Sequence, residues 1–408
     1  MSDPSVLDSR YSWFRLMVTV LIAIVINVGI WIPIVVMPAV QAEFAANRAD
    51  VSIPYTLTMI GFALGNFVVG RAVDRFGVAL TLSVCSVAVA ITYILAALSP
   101  TLWVLIFLQF FIGFASAIGF GPLIADLSKW FLKRRGIAVA LVASGNYLSG
   151  SVWPLALEAV GGGDSWRWSY SAIGIVTILT VPPLALLLRR SLPEDAMRIA
   201  DTQSALRTKA SGFTPRQLQM MLGVAGVGCC VAMSMPQVHI VALCVDYGFG
   251  AVVGAEMLSL MLLGGVVSRL ISGTLADRFG GIPTLLIGST LQCIALFLYL
   301  PAGGLVSLYV VSLIFGLSQG GIVPSYAIIV REYMPTKEAG ARVGFVMMMT
   351  IFGMALGGWV SGVIYDLTGS YQWAFLNGII WNGLNIGIMI LILYRSQRGG
   401  DMQAVPAQ

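Results

Sequence analysis

Polar residues in this chain come in short clusters, and apolar blocks of about twenty residues run between them. That is the length a helix needs to cross the hydrocarbon core of a bilayer. Twelve such blocks lie at 16–39, 52–71, 78–98, 101–126, 137–159, 168–188, 217–244, 251–273, 281–300, 305–330, 341–365 and 372–394. They predict twelve membrane-spanning helices. The last block is the least uniformly apolar, because Asn377, Asn382 and Asn385 interrupt it.

Composition sharpens this reading. Hydrophobic residues make up 58% of the 408 positions and charged residues 10%, where a soluble domain carries about 25% charged residues. The first block follows Arg10 and Arg15 and is too long for a signal-peptide core. With no clear cleavage site after it, it is expected to stay as the first span. The five cysteines fall in or beside apolar blocks, as small core residues do, and suggest neither a disulfide framework nor a metal site.

The net charge of +5 is a matter of topology. With the N-terminus in the cytoplasm, Arg48 and Arg167 fall outside and Arg269 falls within a span. Every other Lys and Arg lies in a cytoplasmic loop, tail or helix end, as the positive-inside rule requires. The expected location is the inner (cytoplasmic) membrane, with both termini cytoplasmic. No nucleic-acid partner is implied.

The octapeptides GRAVDRFG (70–77) and GTLADRFG (273–280) share the pattern Gly-x-x-x-Asp-Arg-Phe-Gly. The shift of 203 residues from Asp74 to Asp277 also carries Gly113 onto Gly316. The polar stretch at 189–216 then reads as a cytoplasmic linker between six-helix halves at 1–188 and 217–408. An even number of spans gives both halves the same orientation. The fold class expected is an all-α membrane protein of twelve helices in two pseudo-symmetric six-helix bundles.

"GNFVVGRAVDRFG" resembles the signature between the second and third helices of the major facilitator superfamily, and "GGVVSRLISGTLADRFG" resembles its weaker second copy. The basic run that usually follows the last glycine is absent here. The resemblance implies a transporter built from parallel repeats. In physical terms, Gly70 and Gly273 permit close helix approach. Asp74 and Asp277 are placed to meet helix N-termini and nearby arginines. With Arg75, Arg278, Gly77 and Gly280 they form candidate gating elements, a cytoplasmic latch closed when the protein opens outward. The alternative is a plain loop with solvated charges.

Arg269 lies eight residues before Asp277, roughly 12 Å from the cytoplasmic helix end. An arginine near the membrane middle costs about 2.5–3.5 kcal/mol on insertion scales. Gly265 and Ser268 beside it suit a helix face turned to a cavity. No Asp, Glu or Lys lies in the middle of another span. An anion is therefore the natural ligand, and the planar guanidinium fork matches a carboxylate or nitrate. The alternative is a structural arginine satisfied by carbonyls and a structural carboxylate. His239, the single histidine, lies in the outer half of the seventh span, where it either packs or titrates close to Arg269. Asn27 and Trp31 in the first span, Phe120 in the fourth, Asn146 and Tyr147 in the fifth, and Gln319 and Tyr326 in the tenth are further candidates for the binding site. Asn382 and Asn385 read instead as interhelical hydrogen bonds.

"INVGIWIPIVVMPAVQAEFAANRADVSIPYTLTMIGFALGNFVVGRAVDRFG" resembles the start of monocarboxylate transporters and of bacterial oxalate/formate-antiporter relatives. "SKWFLKRRGIAVALVASGNYLSG" resembles their fourth-to-fifth loop and fifth helix. The resemblance implies a carboxylate-binding arginine in the eighth helix, and Arg269 matches it. Position 265 is Gly where animal members carry Asp, the first span lacks their Lys, and the eleventh lacks the exchangers' second cation. A single fixed cation suits a monoanion.

The function expected is secondary transport of a small monocarboxylate, lactate- or pyruvate-like, by alternating access. Proton coupling is expected because an anion entering a negative interior costs about 2.3 kcal/mol per 100 mV. Substrate anion, proton and lipid are the expected partners, in a monomer without cofactor or metal. The rivals are anion exchange, uptake of a nitrate-like anion, and a non-transporting membrane sensor. An enzyme would need a carboxylate pair, metal cluster or activated nucleophile in the spans, and none is visible.

Overall fold

The computed structural model describes residues 7–46, 48–159, 165–192 and 212–404, and no strand occurs among them. The first span runs through α1 (Arg10–Ile26) into α2 (Val28–Val35), followed by α3 (Met37–Phe44). Next come α4 (Arg48–Phe76), α5 (Val78–Ala97), and a broken fourth span made of α6 (Leu102–Ser116), a 3-10 turn (Ala117–Gly119) and α7 (Gly121–Ser128). Helices α8 (Arg135–Ala159) and α9 (Trp166–Leu186) complete the first half. The second half comprises α10 (Pro215–Asp246), α11 (Ala251–Phe279), α12 (Gly281–Tyr299), α13 (Leu305–Gln319), α14 (Ile322–Tyr333), α15 (Ala339–Thr368) and α16 (Tyr371–Ala404).

Eleven stretches among the described residues are long and apolar enough to cross a membrane. The remaining expected span, 137–159, lies in α8. Most of the expected 189–216 linker lies outside the described residues. Local chemistry sets several helix ends. Ser9 accepts from the Ser12 amide at the start of α1, and Thr101 and Ser165 cap α6 and α9. Gly77 and Gly280 turn the chain between helices at φ +82° and +87°, a left-handed conformation that favours glycine.

The chain divides into two compact units. One comprises Met1–Leu132, Leu141–Ala196 and Lys337–Met348, and the other Lys133–Ala140, Met197–Thr336 and Met349–Gln408. Each unit thus takes in one short segment from the opposite half of the sequence. Within the first unit α4 lies directly on α6, and a Cβ on Gly113 would collide with the Thr58 carbonyl. Within the second unit α11 lies on α13, and a Cβ on Gly316 would collide with the Met261 carbonyl. Thr58 and Met261 are related by the same 203-residue shift as Gly113 and Gly316. The repeat is therefore also a repeat of helix contacts, in which small residues let backbones meet where lipid offers no hydrophobic drive.

Neutral hydrogen bonds cross each unit's interior. In the first, Gln109 donates to the Tyr170 hydroxyl and accepts from Thr58. In the second, Tyr326 donates to Asn385 at 2.7 Å, and Asn385 and Asn382 both donate to Ser289. Asn382 and Asn385 do form interhelical bonds.

Candidate functional site

Arg269 is 3% exposed on α11, about 15 Å from the end of that helix at Phe279. Its Nε donates to the Gly320 carbonyl at 3.1 Å. That carbonyl would ordinarily bond the amide four residues on, but residue 324 is proline and has no N–H. The tenth span breaks there, between α13 and α14. The neighbours of Arg269 depart from expectation. A Cβ on Gly320 would collide with the Gly265 carbonyl, and one on Gly321 would lie 3.4 Å from the Ser268 oxygen. Gly265 therefore packs directly on the broken span.

The same construction occurs in the first unit with different chemistry. Asn66, eight residues before Asp74 as Arg269 is before Asp277, is fully buried. Its amide donates to Phe62 and accepts the Gly121 N–H at 3.0 Å, at the break in the fourth span. Sequence reasoning passed over Asn66 because a lone Asn in an apolar helix carries no signal. Its alignment with Arg269 under the repeat shift was the available clue.

The other predicted residues separate into groups. The Trp31 indole donates to the carbonyl and side-chain oxygens of Asn146, at 2.9 and 3.0 Å. Tyr147 is buried beside them in α8. Asn27 is fully buried and spends its amide protons on Ala23 and on Gly119 in the 3-10 turn, which makes it a brace for the fourth span. Phe120 sits at that break with φ −125° and ψ −100°, its ring against Phe62. Tyr326 is sealed in the Asn385–Ser289 network, a packing position. Gln319 is fully buried directly before Gly320, and among the described residues neither atom of its amide finds a partner.

His239 is not brought to Arg269. It lies on α10 roughly one and a half turns before Cys244, which meets Met257 of α11 at 3.5 Å, and in antiparallel helices this puts it roughly 10 Å above Arg269. Its Nε2 meets the Gly358 carbonyl at 2.8 Å, and Nδ1 meets the Tyr371 hydroxyl at 3.3 Å. Because a carbonyl only accepts, Nε2 carries the proton and Nδ1 accepts from Tyr371. Tyr371 in turn stacks on Tyr365 at 4.3 Å.

Both octapeptide aspartates cap helices. Asp74 accepts from the amides of Gly340 (3.0 Å) and Ala341 (2.8 Å) at the start of α15, and Lys129 lies 3.4 Å away. Asp277 accepts from Gly136 and from Ile137 (3.1 Å) at the start of α8. Gly70 crosses Gly340, and Gly273 crosses Gly136, so closely that a Cβ on any of the four would strike the opposing chain. Arg75 and Arg278 are exposed, with Arg75 lying over Phe76. The counter-charge at Asp74 comes from Lys129 and not from the adjacent Arg. At the matching position, Glu332 caps Gly281 instead (3.1 Å).

Two ion pairs carried no sequence signal, since their members are far apart along the chain. Arg15, buried in α1, meets Asp126 at 2.7 Å and donates to the carbonyls of Leu188 and Arg190. Arg167 ties Glu43 to the carbonyls of Ala97 and Ser99. This bond, helped by the Trp166 indole, holds the Glu43 carboxyl below its usual range. Among the described residues no group of three or more His, Cys, Asp or Glu is placed to hold a metal.

The model of the major facilitator superfamily matches residues 19–341 and 220–404. The chain belongs to this superfamily. Its members are transporters and not enzymes, so the chain is a multi-pass membrane transporter. It is 31% identical to monocarboxylate transporter 11 of Homo sapiens over 276 residues, which cover 65% of this chain and 58% of that relative. The chain thus aligns with less than two thirds of that protein's length. It is 26% identical to the MFS-type transporter pynF of Aspergillus niger over 340 residues, covering 81% of this chain and 76% of pynF. The crystal structure of the human organic anion transporter MFSD10 (TETRAN) superposes with a TM-score of 0.74 at 16% identity, over 93% of this chain and 99% of that one. This structural likeness shows the fold.

Proposed function

We propose that the chain is a secondary transporter of small monocarboxylates in the cytoplasmic membrane, coupled to protons and working by alternating access, with Arg269 binding the carboxylate. The carrying observation is the contrast between Asn66 and Arg269. At equivalent repeat positions, each ties a membrane helix to the neighbouring broken span. A neutral amide does this in the first unit, so bracing a break does not call for a charge. Burying a cation at membrane depth is expensive, and binding an anion through a planar fork gives that expense a use. The kinship with a monocarboxylate transporter agrees.

The two aspartate caps supply the breakable contacts. Each joins a helix of one sequence half to a helix start from the other half. In this reading they close the cytoplasmic side and release when the protein opens inward.

Counterflow of labelled acids in proteoliposomes tests the proposal. Saturable exchange of a monocarboxylate is expected, driven into accumulation by an inward proton gradient. Arg269→Lys keeps the charge but loses the fork, so it should bind much more weakly. Arg269→Gln should abolish saturable uptake. Near-native monocarboxylate affinity in Arg269→Gln would place the anion site elsewhere. Exchange of oxalate for formate, or uptake of nitrate alone, would favour the rival substrates.

A further inference from the structure

We propose that Gln319 is the specificity-determining residue of this site and reads a hydroxyl on the carbon next to the substrate carboxylate. The inference rests on the carboxylate role of Arg269. The starting point is an amide that is fully buried and has no hydrogen-bond partner on either atom among the described residues. Buried side-chain amides are nearly always satisfied, and each exception calls for an explanation. An amide left this way loses its hydration without a return, an expense that replacement by an apolar side chain would remove.

The position is informative. Gln319 directly precedes Gly320, whose carbonyl holds the Arg269 guanidinium through Nε. The amide therefore belongs to the same broken stretch of the tenth span that orients the proposed anion fork. The repeat shift carries Ser116 onto Gln319, so this half places the larger amide where the other half has a small hydroxyl.

The two idle atoms specify a ligand. The amide nitrogen needs an acceptor, and the amide oxygen needs a donor. A hydroxyl is both at once, accepting from the nitrogen and donating to the oxygen. A keto oxygen satisfies only the nitrogen, and an unsubstituted chain satisfies neither. The expected order of preference is 2-hydroxy acid, then 2-oxo acid, then plain acid of equal length. A site built around a hydroxyl discriminates strongly against the analogue lacking it, because the protein's own polar groups are then left unpaired.

The test compares 2-hydroxypropanoate with propanoate in proteoliposome counterflow, in the wild type and in Gln319→Met, which keeps the side-chain length without hydrogen-bonding groups. The wild type should favour the hydroxy acid by at least about tenfold in kcat/KM, a modest part of what hydroxyl recognition can supply. In Gln319→Met that ratio should collapse toward one, and Gln319→Leu should behave alike if the Met variant misfolds. A wild type indifferent to the hydroxyl overturns the inference by itself, for then the amide is served by a buried water. An undiminished ratio in either folded variant overturns it as well. Loss of both acids in Arg269→Gln with no hydroxyl preference in the wild type would defeat this inference and leave the carboxylate reading standing. Unimpaired uptake of both acids by Arg269→Gln would defeat the carboxylate reading itself.

Discussion

Asn66 and Arg269 occupy the same place in the two repeats, and their environments are alike. Each sits eight residues before the octapeptide aspartate, buried, and bonded to a backbone group at the break of a neighbouring span. One unit solves the problem with a neutral amide and the other with a cation. Broken spans expose backbone groups that lipid cannot satisfy, so some side chain must reach them. The identity of that side chain is then free to carry function. The repeat shows what the architecture needs, and departure from the repeat marks where chemistry has been added.

The sharpest way to break this comparison is to make the second half copy the first. Arg269→Asn should insert and fold but lose saturable anion uptake by at least about a hundredfold, since removing one partner of a buried charged contact costs several kcal/mol. Counterflow and size-exclusion chromatography check the two parts. The reverse case is Asn66→Ala, which strips the buried Gly121 amide of its acceptor. It should lower stability by about 1–3 kcal/mol while substrate affinity persists. Loss of saturable binding in a folded Asn66→Ala would erase the distinction between the halves.

The aspartate caps come next in size. Asp74→Asn and Asp277→Asn should each slow turnover several-fold and favour the inward-open state, without abolishing binding, because charged caps lose more than neutral ones. Asp74 also faces Lys129, so its substitution removes the acceptor of a cation as well as a helix cap. Accessibility of single cysteines from the two membrane sides reads the shift, and normal turnover in both variants would remove the latch.

The smallest effect is expected at Glu43. Its carboxyl is held below the usual range by Arg167, so the pair stabilises the fold above the ordinary carboxylate pKa. That contribution disappears as pH falls through the lowered value. The Glu43 side chain is 40% exposed, so Glu43→Gln should cost under about 1 kcal/mol at neutral pH. Thermal melts should show the difference from wild type vanishing in acid.

Much of the fold was legible because membrane insertion imposes rules a sequence must display. The apolar blocks, the octapeptide repeat and the glycine register at Gly113 and Gly316 all reflect local or periodic demands. The site was legible only in part. Arg269 stood out because a charge within an apolar block is conspicuous wherever it packs. Asn27 and Tyr326 looked equally suited to a ligand, yet their hydrogen bonds go to Gly119 and Asn385, across separations of 92 and 59 residues.

By itself, the sequence determined that this chain crosses a membrane many times, that its halves repeat, and that one arginine lies at membrane depth. Those features follow from hydropathy and spacing, which are properties of short segments. Tertiary structure alone decided that Asp74 and Asp277 cap the starts of α15 and α8. It also paired Arg269 with the carbonyl that Pro324 leaves open, left Gln319 without a partner among the described residues, and set His239 against Gly358 and Tyr371. Hydrogen bonding is decided over a few ångströms and in direction, and residues far apart along the chain acquire such proximity only when the helices pack.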